Sequence, residues 1–104
     1  MIPKSITLNK NKRGIQIEYE DDQFLLLTAS YLRALSPSAE NKNKLGKENL
    51  NNYKEMFKST SITKIEAVGN YAIRIIFNDG HNTGIYSWAF LYEIGLKSQT
   101  SLNP

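Results

Sequence analysis

The sequence predicts an α+β fold in a single domain: a small antiparallel β-meander plus a β-hairpin, with two or three short helices. Apolar and polar residues alternate at 15–20, and further along the chain Ile73, Ile75 and Phe77 alternate with Ala72, Arg74 and Ile76. Both stretches have the period of strands with one buried face. Asn78-Asp79-Gly80 directly follows the second stretch and is typical of a hairpin turn. Ser87, just before Trp88, is a suitable N-cap for a helix.

The N-terminal third predicts the meander. Ile6 and Leu8 alternate with polar residues and indicate a first strand, and a turn follows at 11–14. The alternating stretch at 15–20 is the second strand. Phe24–Leu27 forms the third, and its continuous apolar character predicts burial on both faces.

A short helix is expected after the meander. Thr28 is its predicted N-cap, and the helix should run to about Leu35, because Pro37 lacks an amide hydrogen and disfavours helix at the residue before it. Residues 36–40 (Ser-Pro-Ser-Ala-Glu) then form an ordered polar loop.

Residues 41–61 are rich in Asn, Lys and Ser and predict a variable loop with a short helix. Leu50, Tyr53 and Phe57 have helical spacing and would cover the sheet. A fourth strand at 62–67 leads into the hairpin. The last helix, from Trp88, should end at Gly95, which leaves 97–104 as a flexible tail.

The hairpin turn decides where the single histidine lies. A two-residue loop at Asp79-Gly80 would place Tyr86 on the same face as Phe77, and His81 on the opposite face with Arg74. The return strand is expected at 83–86.

Composition excludes several classes of site. The 104 residues are 40% hydrophobic and 22% charged, with a net charge of +3 and no cysteine. Disulfides, thiolate metal sites and thiol catalysis are therefore excluded. The longest apolar run is too short for a bilayer, and no signal peptide is evident, so a cytoplasmic protein is expected. The lysines are scattered along the sequence, which argues against nucleic-acid binding.

His81 is the candidate for catalysis. Ser36 or Ser38 beside it, with Asp79 or Glu40 orienting the ring, would resemble a hydrolytic triad. No strand–turn–helix motif exposes a serine nucleophile, and a lone histidine is more often structural, so we expect no catalytic residue. The adjacent Asp21 and Asp22 are interpreted as turn formers.

Binding is the alternative use of these polar and aromatic residues. Arg33 stands near the 36–40 loop and could order that loop through Glu40. Aromatic side chains near polar loops suit interfaces. The predicted binding surface comprises Arg33, Ser36, Ser38, Glu40, His81, Tyr86 and Trp88.

Several motifs resemble one family. They are Tyr31-Leu32-Arg33, Ser36-Pro37-Ser38-Ala39-Glu40, Val68-Gly69-Asn70-Tyr71-Ala72, Phe77-x-Asp79-Gly80-His81-x-Thr83-Gly84-Ile85-Tyr86-x-Trp88 and Leu91-Tyr92-Glu93. Together they resemble the DUF971 family, the gamma-butyrobetaine hydroxylase-like N-terminal domain, over nearly the whole chain. The resemblance is weakest over 41–61.

The resemblance implies a small α+β module that occurs alone in bacteria. It also precedes the catalytic domain of 2-oxoglutarate-dependent carnitine-pathway hydroxylases, and is attached to Mrp-like P-loop iron–sulfur carriers. In the hydroxylases the domain holds zinc through three cysteines and a histidine, at positions matching about Ser36, Ser38, Asn41 and His81. Hydroxyl and amide groups replace the thiolates here, so we expect no metal and no cofactor. His81 would instead hydrogen-bond Ser36, Ser38 or Glu40.

These observations together predict a non-catalytic binding or adaptor module with a protein partner. By resemblance alone, the partner would be a Mrp-like P-loop ATPase of iron–sulfur cluster biogenesis. Two alternatives stay open. One is a small-molecule-binding accessory domain for a separate oxygenase, with an apolar pocket beside His81. The other is a small enzyme that uses His81 as a base.

Overall fold

Two three-stranded antiparallel sheets, each formed by consecutive strands, make up the fold. The computed structural model describes residues 2–37 and 53–102. The first sheet has the order β1-β2-β3 and the second β4-β5-β6, so both parts of the predicted α+β fold are confirmed. In chain order, the elements are β1 (Pro3–Leu8), β2 (Gly14–Tyr19), β3 (Phe24–Thr28), α1 (Ala29–Ala34), α2 (Tyr53–Met56), β4 (Ile62–Val68), β5 (Ala72–Phe77), β6 (Gly84–Ser87) and α3 (Trp88–Leu102).

The inner faces of the two sheets and the helices enclose one hydrophobic core. Alternation in β2 places Ile15, Ile17 and Tyr19 there with no exposed surface, and β5 contributes Ile73, Ile75 and Phe77 in the same way. Each buried side chain of this size stabilises the fold by about 1.5–3 kcal/mol. The remaining fully or nearly buried core residues are Leu25, Leu27, Ala29, Tyr31, Leu32, Ile62, Tyr86, Leu91 and Ile94.

Strand β3 is buried on one face only. Leu25 and Leu27 point into the core, whereas Phe24 is 45% exposed and Leu26 is 61% exposed. The expectation that this apolar run is covered on both sides is therefore wrong. The first sheet packs against α3 and α1 on its inner face, and the outer face carries the exposed pair.

Both predicted N-caps are confirmed. Thr28 Oγ1 accepts a hydrogen bond from the Tyr31 amide at 3.2 Å, and Ser87 Oγ accepts one from the Phe90 amide at 3.1 Å. Such caps satisfy amides that have no partner within the helix. Helix α1 ends at Ala34, three residues before Pro37, as expected.

Helix α3 continues through Gly95 to Leu102, so the predicted helix end at Gly95 is wrong. A Cβ at Gly95 would lie 2.6 Å from Leu25 Cδ1. Glycine is there because the helix crosses β3 so closely that a side chain would collide with it. Residues 97–102, predicted as a tail, are helical; 103 and 104 lie outside the described residues.

The segment before β4 is described only in part. Residues 53–56 of the predicted short helix form α2, whereas Leu50 and the predicted loop at 41–47 lie outside the described residues. No described helix is long and apolar enough to cross a membrane.

Candidate functional site

The β5–β6 turn places His81 differently from the sequence prediction. The Phe77 amide donates to the His81 carbonyl at 3.0 Å, and the Gly80 amide donates to the Phe77 carbonyl at 3.1 Å. The loop thus has three residues, with Gly80 in the left-handed region at φ 89°. His81 is opposite Phe77, with ring centroids 6.1 Å apart, and not on the face of Arg74. Tyr86 is opposite Ile73 and on the core face, as predicted.

Asn78 fixes the tip of this hairpin to the chain before β4. Its backbone amide donates to the Ser61 carbonyl and its side chain accepts from the Ser61 amide, both at 3.0 Å. Its Nδ2 also donates to the Ser59 carbonyl at 3.1 Å. Three hydrogen bonds from one side chain and its backbone hold the turn rigidly, and so position His81.

The predicted contact between His81 and the 36–40 loop is confirmed at Ser36. Ser36 Oγ lies 2.8 Å from His81 Nε2, although the two residues are 45 positions apart. Ser36 has no exposed surface. Ser38, Glu40 and Asn41 lie outside the described residues, so their predicted places in the site stay predictions.

A buried chain of hydrogen bonds runs from His81 to helix α1. The Tyr86 phenol donates to the Leu32 carbonyl at 2.5 Å, and Ser36 hydrogen-bonds the same phenol. Since the phenol has one hydrogen and donates it to Leu32, it accepts from the Ser36 hydroxyl. The Ser36 hydroxyl has then used its own hydrogen, so His81 Nε2 donates to Ser36. Burial raises the pKa of Tyr86 above its ordinary range, so the phenol keeps its proton.

Asp79 joins the same cluster through the backbone and not through the imidazole ring. Its Oδ1 accepts from the His81 backbone amide at 3.0 Å, and its Oδ2 accepts from Arg33 Nε at 2.9 Å. Burial alone would raise the pKa of Asp79, but the His81 amide and the Arg33 guanidinium lower it on balance. The Arg33 guanidinium also lies 5.2 Å from the centre of the Phe57 ring.

Trp88 lies away from this cluster. Its indole Nε1 donates to the Asn70 carbonyl at 2.8 Å, and its backbone amide donates to the Tyr71 carbonyl at 2.9 Å. The turn at 69–71 precedes β5, whereas His81 follows the end of that strand. Six residues of extended chain span about 20 Å, so the two turns are separated by roughly that distance. The structure therefore brings Arg33, Ser36, His81 and Tyr86 together, and leaves Trp88 at the other end of the sheet.

The histidine should make stability depend on pH. Burial, followed by the nearby Arg33, lowers the pKa of His81 from 6.5, and Asp79 offsets part of this effect. The unfolded chain then takes up a proton before the folded chain does, so stability is complete above about pH 6.5 and falls as pH decreases through the folded pKa. We expect the urea midpoint to fall further between about pH 7 and pH 5 in the wild type than in His81→Gln. Parallel loss in both proteins would contradict this expectation.

The comparisons with known proteins identify the family. The family model described as "Gamma-butyrobetaine hydroxylase-like, N-terminal" matches residues 6–92. No curated protein matches the chain. A crystal structure from Acidithiobacillus ferrooxidans, of a protein of unknown function in the DUF971 family, is 28% identical with a TM-score of 0.70. The match covers 89% of this chain and 91% of that one.

Two structures solved in solution by NMR are also similar. One is 31% identical, with 93% of this chain and 70% of that chain covered and a TM-score of 0.67. The other is 30% identical, with 97% and 77% covered and a TM-score of 0.67. These matches in sequence and fold agree with the motifs shared along the chain. The chain belongs to the gamma-butyrobetaine hydroxylase-like N-terminal family, also designated DUF971.

Proposed function

We propose that the chain is a non-catalytic module that binds a protein partner, and that the cluster around His81 orders the surface that is bound. The observation that supports this proposal is the buried contact of Ser36 Oγ with His81 Nε2 at 2.8 Å, beside a Tyr86 phenol that donates to Leu32, and from it we infer the direction of the hydrogen bonds. A base that activates a serine must accept the hydroxyl proton. Here the imidazole donates to the serine, which is the arrangement of a structural cross-link.

Burial and the position of the carboxylate support the same interpretation. Ser36 has no exposed surface, so a substrate could not reach its hydroxyl without a rearrangement of the protein around it. Both Asp79 oxygens are bound, one by the His81 backbone amide and one by Arg33. In a catalytic triad the carboxylate instead accepts from the second ring nitrogen of histidine.

The donor set does not fit the zinc site that the family resemblance implies. At the matching positions that the structure describes, the donors are one imidazole and one serine hydroxyl, already hydrogen-bonded to each other at 2.8 Å. Structural zinc takes four thiolate or imidazole ligands, and hydroxyl groups are poor substitutes. We therefore propose that the hydrogen bond replaces the metal as the link between loop and hairpin.

The exposed rim of this cluster is the proposed contact surface. Asp79 and Gly80 are exposed at the tip of the hairpin, and His81 and Arg33 are partly exposed beside them. The hydrogen bonds of Asn78 and Ser36 hold these groups in place before binding, which reduces the entropy lost on association. The partner class that we propose is a P-loop ATPase of iron–sulfur cluster biogenesis.

Affinity capture from the native cell at endogenous expression tests this proposal. Arg33→Ala and Trp88→Ala probe the two ends of the second sheet, and Lys97→Ala, an exposed position on α3, is the matched control. Thermal melts establish that each variant is folded. We expect a P-loop ATPase with the wild type and with Lys97→Ala, and its recovery to fall about tenfold with Arg33→Ala.

Two results would contradict the proposal in different ways. Recovery of no P-loop ATPase above background would remove the iron–sulfur assignment. Recovery that is lost with Trp88→Ala but unchanged with folded Arg33→Ala would place the contact at the other end of the sheet.

A groove on the outer face of the second sheet favours a second candidate function, small-molecule binding. It has a volume of about 330 Å³ and is lined by Arg74, Ile76, Asn82, Thr83 and Ile85, but not by His81. This volume is at the lower end of the range of ligand sites. Arg74 Nη1 donates to Glu66 at 3.3 Å. The other N–H groups of this guanidinium, beside two isoleucines, would suit a small carboxylate with an apolar part.

Thermal shift with a panel of carnitine-like and aliphatic carboxylates tests this second candidate. A saturable increase in the melting temperature, absent in Arg74→Gln, would support it. No shift at millimolar ligand, or an equal shift in the variant, would exclude it.

A further inference from the structure

Five cationic side chains have no ion pair within residues 2–37 and 53–102. The other described lysines and arginines each pair with a carboxylate within 4.0 Å. The five exceptions are all exposed, and they form what we call the basic end: Lys10, Lys12, Arg13, Lys54 and Lys58.

The fold brings these residues to one place. Three of them lie in the β1–β2 turn, and the other two lie in and just after α2. Arg13 Nη1 donates to the Lys58 carbonyl at 3.4 Å, which places the two segments side by side. The Ile62 amide at the start of β4 donates to the Lys12 carbonyl at 2.6 Å. Two chain segments that carry lysines far apart in the sequence therefore lie next to each other where the two sheets adjoin.

The turn that carries three of these cations is held in one conformation. The Lys12 amide donates to the Asn9 carbonyl at 2.9 Å, and Asn11 Oδ1 accepts from the Arg13 amide at 2.9 Å. The Ala29 amide donates to the Arg13 carbonyl at 2.7 Å. Lys12 has φ 60°, a conformation that few non-glycine residues adopt. The backbone is thus fixed, and the charged side chains extend from it into solvent.

Charge is segregated along the molecule. The two segments that carry the basic end, 9–13 and 53–58, include one carboxylate, Glu55, so their net charge exceeds the +3 of the whole chain, and the remaining residues are slightly acidic on balance. Glu20, Asp21 and Asp22 lie in the turn at the opposite end of β2 and have no ion pair in the described part of the chain. A field with this polarity orients a charged partner before contact.

We propose that the basic end binds an acidic segment of a protein partner, one rich in aspartate and glutamate. Exposed cations that have no ion pair among the described residues, three of them on a fixed turn, favour a multivalent anion. Single-stranded nucleic acid requires aromatic faces for its bases. Phe57, the aromatic residue beside Lys58, is half-buried and its ring faces Arg33. The β1–β2 turn also has no apolar side chain to enter a lipid surface.

Fluorescence anisotropy with the full chain tests this proposal, using a labelled peptide of about ten alternating Asp and Glu residues at low salt. Lys10→Gln/Lys58→Gln removes two charges from the basic end. Lys4→Gln/Lys97→Gln removes the same number elsewhere and is the matched control. We expect the first variant to bind the peptide about tenfold more weakly than the wild type, and the control to change affinity less than about twofold. Affinity should fall as salt rises.

Every other outcome counts against the proposal. If both double variants bound the peptide equally weakly, the affinity would depend on the net charge of the protein and not on a specific site. Tighter binding of single-stranded DNA of about 20 nucleotides, or of vesicles containing phosphatidylserine, would replace the acidic segment with another class of partner. No binding of the peptide by the wild type at low salt would overturn it outright. None of these results depends on the P-loop ATPase proposed above.

Discussion

Replacing Tyr86 with phenylalanine is expected to destabilise the protein by about 1–3 kcal/mol. The phenol has no exposed surface and donates to the Leu32 carbonyl at 2.5 Å. Leu32 is in the last turn of α1, where carbonyls have no partner within the helix. Without the phenol, this carbonyl and the Ser36 hydroxyl would both be left in the core without the partner they have now.

Tyr19→Phe is the matched control for this deletion. Tyr19 is also fully buried, but its hydroxyl has no hydrogen-bond partner among the described residues. Burial, with a smaller contribution from Tyr92, raises the pKa of Tyr19 to about 12, so the group stays protonated and polar in an apolar place. Removing an unsatisfied hydroxyl is nearly neutral or stabilising. Removing one hydroxyl oxygen should therefore lower the stability of the protein at Tyr86, in the second sheet, and leave it unchanged or raise it at Tyr19, in the first.

Urea unfolding and thermal melts of both variants measure the difference. For a domain of this size, a loss of 1 kcal/mol lowers the melting temperature by roughly 4–8 °C. Tyr86→Phe should melt well below the wild type, with Tyr19→Phe at or above it. Equal destabilisation of both would mean that ring packing, and not the hydrogen bond to Leu32, accounts for the effect at Tyr86.

Local sequence signals predicted the strands and helix starts because local physics determines them. Alternation at 15–20, and the period-2 spacing of Ile73, Ile75 and Phe77, indicate which face is buried whatever the rest of the chain does. Thr28 and Ser87 cap helices through bonds to amides three residues later, so nearby sequence is sufficient.

The errors arose where distant contacts override local preference. Gly95 looks like a helix end, yet it is in the middle of α3 because Leu25 leaves no room for a side chain. Phe24 and Leu26 look like buried residues, yet they lie on the outer face of β3 and are 45% and 61% exposed. Neither the packing partner of a glycine nor the coverage of a sheet face can be read from neighbouring residues.

The candidate site was predicted through family motifs more than through periodicity. The contact of Ser36 with His81 followed from the resemblance, because no local rule relates residues 45 positions apart. The pairing of Arg33 with Asp79, across 46 positions, was missed, and the expected contact of Arg33 with Glu40 stays a prediction because Glu40 lies outside the described residues. The capping of Leu32 by Tyr86 was missed as well, since a tyrosine at helical or strand spacing predicts only burial.

Gly84→Ala is expected to destabilise the protein by about 1–3 kcal/mol, although it adds a single methyl group. An ideal Cβ at this position would lie 2.7 Å from Ser36 Oγ and 3.0 Å from Tyr86 Cε1. Neither neighbour can move freely, because Ser36 is bound to His81 and Tyr86 is bound to Leu32. The glycine at the start of β6 is thus required by the close approach of Ser36.

The double variant Gly84→Ala/Ser36→Ala separates this collision from any effect of alanine on the strand. Removing the serine oxygen relieves the closest contact, so the two losses of stability should be less than additive, by at least about 0.5 kcal/mol. Strict additivity in chemical denaturation would place the strain elsewhere, at the Tyr86 ring. A less than additive result would also show that Ser36 is seated on β6 in solution, which the proposed binding surface requires.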